Sequence, residues 1–191
     1  MKTTAEGFIA MKVSDETLNE VIEWRKEQNG FHGGDIFPGT LDKRAAGRLG
    51  ELGFKHWLKK RGADFTHRES PDFLVYGLTV EVKTFSRRGW RLTMDVGQNI
   101  PMEQIDQAGL CVFFCSYDEI GHIITLCGGI GRKEFKRVAW LLEKGEIAPD
   151  KFLCKHPCYR APQKHLWTPD RWLEEVRDMD IWLRYLEEKF P

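Results

Sequence analysis

Residues 70–83 read Ser-Pro-Asp-Phe-Leu-Val-Tyr-Gly-Leu-Thr-Val-Glu-Val-Lys, and they predict a β-hairpin. Apolar and polar side chains alternate over residues 78–83, and an apolar run at 73–75 precedes Tyr76-Gly77, a pattern that is typical of two antiparallel strands joined by a two-residue turn. A turn at these two residues sets the register of the predicted hairpin. In that register apolar residues face apolar residues, Val75 with Leu78 and Phe73 with Val80.

The second strand of the hairpin carries a pair of charged residues on one face. Because alternate side chains share a face of a strand, Glu81 and Lys83 point to one side and Val82 points into the opposite apolar layer. The same register puts Asp72 directly opposite Glu81. Like charges in that position destabilise a sheet, and a divalent cation removes the repulsion, since carboxylate oxygens are ligands that Mg²⁺ prefers. The hairpin therefore predicts a metal site, with the Lys83 ammonium beside it to hold a water or neutralise a phosphate.

These residues carry a family resemblance. Pro71-Asp72, followed by Glu81-Val82-Lys83 and preceded by a helix with Glu51, resembles the PD-(D/E)xK nuclease superfamily, which includes restriction endonucleases and Holliday-junction resolvases. The resemblance covers about residues 47–117. It implies an α/β fold with a restriction-endonuclease-like core, in which helices flank a mixed central sheet. It also implies metal-dependent hydrolysis of DNA phosphodiester bonds.

The resemblance assigns the metal ligands residue by residue. Asp72 and Glu81 would bind Mg²⁺, with the backbone carbonyl of Val82 as a further ligand. Glu51 would complete or support the metal site. Mn²⁺ is expected to substitute for Mg²⁺.

The resemblance also assigns residues around the metal. Lys83 would position the attacking water. Gln104, on a predicted short helix after the Glu-x-Lys strand, corresponds to an assisting polar residue and is also a candidate for contact with nucleic acid. The arginines that follow the strand are candidates for contact with nucleic-acid phosphates. They are Arg87, Arg88 and Arg91. A second basic cluster, which is as consistent with a solvated face as with phosphate contact, consists of Arg132, Lys133, Lys136 and Arg137.

Two helices are predicted before the hairpin. The first runs over residues 15–28, and the second runs over residues 43–61 and ends at Gly62. Residues 31–40 between them are expected to be a connector rather than a substrate-binding loop. The second helix contains Gly47, Gly50 and Gly53, and an interior glycine costs a helix about 1 kcal/mol relative to alanine. We therefore expect another element to approach its backbone closely.

The remaining elements are read from periodicity and from the glycines and prolines that interrupt it. The predictions are strands at 63–66, 110–117 and 122–126, short helices at 101–107 and 133–144, a pattern break at 128–131, and a helix at 168–190. Together they predict one domain with a core over about residues 43–146. An N-terminal helix precedes this core and a C-terminal helical extension, about 147–191, follows it.

A cysteine- and histidine-containing segment lies inside that extension. It offers Cys154, His156, Cys158 and His165 as zinc ligands. Their spacing differs from that of zinc fingers and knuckles, so buried free thiols with surface histidines are favoured over zinc.

Composition limits the class of protein. The chain has 191 residues, 41% of them hydrophobic, and its 29 basic residues balance 29 acidic ones. A neutral chain attracts DNA only locally. The sequence predicts a soluble intracellular, cytoplasmic protein without a membrane span, because it has no long apolar stretch and an odd number of cysteines, five. Two alternatives stay open: a structure-selective, dimeric junction resolvase, and a non-catalytic nucleic-acid-binding subunit.

Overall fold

A large mixed sheet flanked by helices organises the protein, as the sequence predicts. The structure, a computed structural model, describes residues 1–27, 43–68, 71–106 and 109–189, with the backbone alone for 182–189. The helices are α1 (Asp15–Glu27), α2 (Lys43–Arg61), α3 (Met102–Ile105), α4 (Arg132–Val138) and α5 (Pro169–Lys189). The strands are β1 (Lys2–Thr3), β2 (Ile9–Lys12), β3 (Phe65–His67), β4 (Phe73–Val75), β5 (Leu78–Arg87), β6 (Gly97–Pro101), β7 (Cys111–Asp118), β8 (Ile123–Gly131), β9 (Trp140–Leu142) and β10 (Cys158–Pro162). The predicted connector at 31–40 lies outside the described residues.

The large sheet has seven strands in the order β1-β2-β8-β7-β5-β4-β3. Its neighbours pair antiparallel except for β5 and β7, which run parallel over eight residue pairs from Val80↔Cys111 to Arg87↔Asp118. The chain passes through β6 and α3 between these two strands. The segment after β5 therefore crosses one face of the sheet, and this crossing brings α3 beside the middle of β5.

The predicted hairpin is confirmed in its turn and in its register. β4 and β5 pair Phe73 with Val80 and Val75 with Leu78. The turn residues Tyr76 and Gly77 both have positive φ, 46° and 78°. Two such residues form the tight turn that matches the twist of antiparallel strands.

Helix α2 packs on the apolar face of the hairpin, where Phe54 contacts Phe73 with ring centroids 5.1 Å apart. The close approach expected at its glycines occurs at two of the three. A Cβ on Gly50 would stand 1.9 Å from Thr84 Oγ1, and one on Gly53 would stand 2.7 Å from Ile124 Cγ2, whereas Gly47 has open space around it. The glycines at 50 and 53 let α2 lie directly on the sheet.

The predicted pattern break at residues 128–131 is wrong, because β8 continues to Gly131. A Cβ on Gly128 would stand 2.0 Å from the carbonyl oxygen of Trp167, and one on Gly129 would stand 2.6 Å from the indole ring of Trp172. The glycines therefore do not end the strand. They make room for the start of α5, whose Trp172 is fully buried.

A second sheet replaces part of the predicted helical extension. Strands β6, β10 and β9 form it in that order, and a 3-10 helix at Gln163–His165 follows β10. The predicted helix at 133–144 ends at Val138, because the next residues pair with β10 from Trp140↔Arg160 to Leu142↔Cys158. This pairing closes a small core of its own, made of Leu142, Ala148, Cys154 and Cys158. Helical structure in this part of the chain resumes fully only with α5.

The ends of the chain complete the large sheet and its packing. Strands β1 and β2 were not predicted, and β2 extends the sheet beyond β8. Trp172 and Val176 of α5 are both buried, whereas Met179 is 39% exposed. None of the helices in the described ranges is both long and apolar enough to cross a bilayer.

Candidate active site

The Asp72 carboxylate caps the open end of the hairpin. The strand ladder ends at Phe73↔Val80, and extending the register by one step places Asp72 opposite Glu81. Pro71 precedes it and has no N–H to continue the ladder. The backbone N–H of Val82 instead donates to Asp72 Oδ2 at 2.7 Å, so the carboxylate takes the position that a backbone carbonyl would hold in a longer strand.

Asp72 is held in an environment that opposes its ionisation. Burial raises the pKa of its carboxyl from the ordinary 3.8 to about 7, even though the hydrogen bond from Val82 lowers it. The negative charges of Glu81 and Glu51 contribute to this rise in pKa, and the positive charge of Lys83 offsets it only in part. All three charged neighbours therefore lie within electrostatic range of Asp72.

Glu81 and Lys83 share one face of β5, as strand alternation predicts. Lys83 Nζ lies 2.8 Å from Glu81 Oε1, and both side chains are mostly buried, 25% and 20% exposed. On the opposite face Val80 and Val82 are buried in the apolar core. The carboxylate and the ammonium thus form one polar site on an otherwise apolar strand.

Gln104 of α3 reaches this pair. Lys83 Nζ donates to Gln104 Oε1 at 3.2 Å, so α3 supplies a second partner for the ammonium besides Glu81. The sequence marked Gln104 as an assisting polar residue and as a candidate for contact with nucleic acid. The structure brings it to Lys83.

Glu51 approaches the same region from α2 with its own partners. Arg48 Nη1 lies 3.0 Å from Glu51 Oε2, and His67 Nε2 lies 3.7 Å from the same oxygen. Sequence reasoning missed both partners. The three-residue spacing of Arg48 and Glu51 on a helix could have indicated the first. The second depends on the pairing of His67 with Phe73, which becomes visible only with the β3–β4 register.

The donor set fits a hard divalent cation. Carboxylate oxygens repel one another at Asp72, and a strand residue directs its N–H and C=O to the same side, so the Val82 carbonyl faces the side on which Asp72 lies. Across the described ranges, however, no group of three or more His, Cys, Asp or Glu side chains is arranged to hold a metal ion. The carboxylates of Glu81 and Glu51 lie within electrostatic range of Asp72.

The three arginines at and just after the end of β5 are engaged in ion pairs. Arg87 lies 3.1 Å from Asp118 with each side chain only 11% exposed, Arg88 lies 3.4 Å from Glu119, and Arg91 lies 2.7 Å from Glu6. Arg87 also donates to the carbonyl oxygen of Trp90. Contact of these residues with phosphate would require the ion pairs to open.

The second basic cluster lies on α4 and adjoins α3. Arg132 donates to the carbonyl oxygen of Asp106, and Lys136 Nζ lies 2.7 Å from Asp106 Oδ1. Arg137 pairs with Glu134 on its own helix, and Lys133 is exposed. Asp106, which Arg132 and Lys136 both contact, follows Gln104 by two residues in the chain.

The cysteine- and histidine-containing segment divides into buried and exposed parts. Cys154 Sγ and Cys158 Sγ are 3.7 Å apart in the core of the second sheet. Burial, followed by the neighbouring Cys154 thiol, raises the pKa of Cys158 to about 11. His156 and His165 are both exposed on the surface.

Comparison of the chain with family models, with curated proteins and with solved structures finds no match. The structure itself shows an α/β fold with a large mixed sheet and a polar site at the end of the β4–β5 hairpin.

Proposed function

We propose that this protein is a metal-dependent endonuclease that hydrolyses DNA phosphodiester bonds, with a restriction-endonuclease-like core. One observation carries the proposal: the carboxylate of Asp72 lies at the end of the hairpin, within range of the Glu81 charge, and beside Glu81 stands the Lys83 ammonium. Asp72 is a buried acid whose pKa is raised to about 7. The positive charge of Lys83 therefore does not compensate for burial and for the neighbouring acids. Perturbed acids of this kind cluster at functional sites.

Asp72, Glu81 and the Val82 carbonyl would hold Mg²⁺ or Mn²⁺, with Glu51 in support. A bound divalent cation would polarise the phosphate and lower the pKa of a bound water. Arg48 and His67 orient the Glu51 carboxylate, which keeps this third acid near the pair without full burial. Such outer contacts fix the geometry of ligands in metal sites.

Lys83 acts on the attacking water or on the charge that develops on the phosphate. Its ammonium has two fixed partners, Glu81 and Gln104, so it needs little reorganisation to reach a defined position. A preorganised charge of this kind lowers the barrier more than a mobile one. Gln104 is thus a positioning residue for Lys83.

A second candidate function follows from the same site. In the described ranges the side chains that could bind a metal are fewer than three in any one group, and Glu81 is occupied by Lys83. These observations favour a non-catalytic nucleic-acid-binding subunit that keeps the fold. A junction resolvase acting as a homodimer is a variant of the first function and differs from it only in substrate.

The test is a cleavage assay on purified protein with linear, supercoiled, branched and single-stranded DNA and with RNA. Each substrate is incubated with Mg²⁺, Mn²⁺ or EDTA, and Asp72→Asn and Glu81→Gln serve as inactive controls. We expect metal-dependent cleavage that both substitutions abolish. Cleavage confined to the branched substrate by a dimer would identify the resolvase. Binding of DNA with no cleavage under any metal would replace the nuclease with the binding subunit.

A further inference from the structure

A cleft of about 680 Å³ lies between α1, α2 and β2, away from the hairpin site. Its volume falls within the range of roughly 300–1,000 Å³ that is typical of small-molecule sites. The proposed nuclease chemistry does not use it. The two sites lie on different sides of α2, because Glu51 and the cleft-lining Leu49 are two residues apart, which at about 3.6 residues per turn places them on nearly opposite sides of the helix.

One half of the cleft is apolar. Leu49 and Leu52 of α2 line it together with Met11 of β2 and Ile124 of β8. Gly53 lies between them, and the absence of a side chain there lets α2 approach Ile124 closely. A hydrocarbon group that packs against this apolar surface gains binding free energy roughly in proportion to the apolar area removed from water.

The other half of the cleft is basic. Lys55 and Lys59, one turn apart on α2, line it with His56, and Lys12 lines it from β2. None of these four side chains has an ion-pair partner among the residues that the structure describes, in contrast to Lys26, Lys83 and Lys136. A single acid, Glu20, also lines the cleft. The excess of positive charge favours an anion.

The two halves follow each other along one helix. Leu49 and Lys59 are ten residues apart on α2, which corresponds to about 15 Å at 1.5 Å per residue. The apolar side chains occupy the first part of this row and the basic side chains occupy the second. A ligand with one anionic head and one apolar body matches that order, whereas an extended acidic chain would place charges on the leucines.

We propose that this cleft binds a small amphiphilic anion. Its apolar body lies against Leu49, Leu52 and Met11, and its carboxylate or phosphate head is bound by Lys12, Lys55 and Lys59. The site is independent of the nuclease site, so it stands whether or not the chain cleaves DNA. Free carboxylates and phosphates of this kind and the headgroups of a lipid bilayer share this chemistry. The volume of the cleft, about 680 Å³, is that of a site for a free small molecule.

The experiment is a calorimetric titration of the full chain with octanoate, decanoate and decyl phosphate below their micelle concentrations. Acetate and inorganic phosphate test the head alone, and octyl glucoside tests the apolar body alone. Lys59→Glu is compared with Lys60→Glu, because both residues are exposed on α2, the charge change is the same, and only Lys59 lines the cleft. Circular dichroism verifies that both variants are folded.

We expect one saturable site that binds decanoate more tightly than octanoate and does not bind acetate. Lys59→Glu should lower the affinity for decanoate by roughly tenfold or more, which is the effect of losing a charged hydrogen bond. Lys60→Glu should change this affinity by less than about twofold. Equal effects of the two substitutions, or binding of octyl glucoside as tight as that of decanoate, would overturn it. So would sedimentation with phosphatidylglycerol vesicles without any binding of the free anions.

Discussion

The Val82 N–H donates to Asp72 Oδ2 across the open end of the hairpin, at 2.7 Å. This bond holds a carboxylate where burial and two neighbouring acids oppose its charge. The buried position of Asp72 therefore costs stability when the carboxyl is ionised, and the hydrogen bond from Val82 offsets only part of this cost. A hydrogen bond to the backbone of the Glu-x-Lys strand also fixes the distance between the two halves of the candidate site.

Asp72→Asn should stabilise the metal-free protein at neutral and alkaline pH. The folded pKa of Asp72, about 7, lies above the unfolded 3.8, so the folded state binds more protons between these values and stability falls as pH rises through this window. A pKa difference of this size corresponds to roughly 4 kcal/mol of unfolding free energy, and partial exposure of the side chain to solvent reduces this value. We therefore expect Asp72→Asn to raise the free energy of unfolding by about 1–3 kcal/mol above pH 7. The amide oxygen of Asn can still accept the Val82 N–H.

Urea unfolding in EDTA at pH 4, 6 and 8 measures this gain. Asp64→Asn is the control, because Asp64 is exposed near the start of β3. The difference between wild type and Asp72→Asn should grow with pH, whereas the control should show no such trend. A variant that loses stability at pH 8 would mean that the carboxylate has a structural role, and the metal assignment would fail.

Local pattern was enough to predict the hairpin, α2 and the face of Glu81 and Lys83, because turn residues and alternation specify the register of adjacent strands. It was not enough for the second sheet. Strands β6 and β9 are short, and they form only by pairing with β10. In that pairing Pro101 of β6 lies opposite Cys158, which is 57 residues later in the chain. The ion pair of Arg87 with Asp118 was hidden for the same reason, since it depends on the parallel register of β5 with β7.

The glycines of α2 should respond to alanine in opposite directions. Gly47→Ala should raise stability by up to about 1 kcal/mol, because alanine favours the helix and nothing lies within 4 Å of the added methyl group. Gly50→Ala should lower stability by about 1–3 kcal/mol, because the added Cβ overlaps Thr84. Thermal unfolding of both variants measures the two effects.

The double variant Gly50→Ala, Thr84→Ala gives the control for this overlap. The Thr84 hydroxyl is buried and has no hydrogen-bond partner among the described residues, so its removal alone should cost little. We expect Thr84→Ala to restore much of the stability that Gly50→Ala loses. Additive losses in the double variant would show that the overlap is not the cause.

Adjacent arginines at the end of β5 should differ in their effect on stability. Arg87→Ala leaves Asp118 without its closest charged partner in a mostly buried position, and we expect a loss of about 2–4 kcal/mol. Arg88 is 67% exposed, so Arg88→Ala should change stability by less than about 0.5 kcal/mol. Equilibrium unfolding compares the two. If Arg88→Ala also weakens DNA binding and reduces its salt dependence, this arginine contacts phosphate.

The thiols of the second sheet should be unreactive and free of zinc. All five cysteines are buried, and burial raises the pKa of Cys158 to about 11, so the reactive thiolate is scarce. We expect Ellman's reagent to label the native protein slowly and the denatured protein at five sites. Metal analysis of protein purified without added zinc is the second measurement. Zinc near one equivalent, lost in the double variant Cys154→Ser, Cys158→Ser, would make this segment a metal site.

Lys83 provides the sharpest test of catalysis, because its ammonium is fixed between Glu81 and Gln104 and so has a defined position before substrate arrives. A group that acts mainly in the transition state should change kcat and kcat/KM together and leave substrate affinity nearly unchanged. Loss of one preorganised electrostatic group costs on the order of 10²–10³ in rate, so Lys83→Ala should slow single-turnover cleavage by at least that factor. Gln104→Ala should slow it less, because Glu81 still holds the ammonium.

Single-turnover rates with Mg²⁺ and DNA affinities with Ca²⁺ separate chemistry from binding, and Lys60→Ala, on the exposed surface of α2, is the matched control. Cleavage by Lys83→Ala at close to the wild-type rate would contradict the assignment of the Glu-x-Lys strand and leave the non-catalytic binding subunit as the better account of the site.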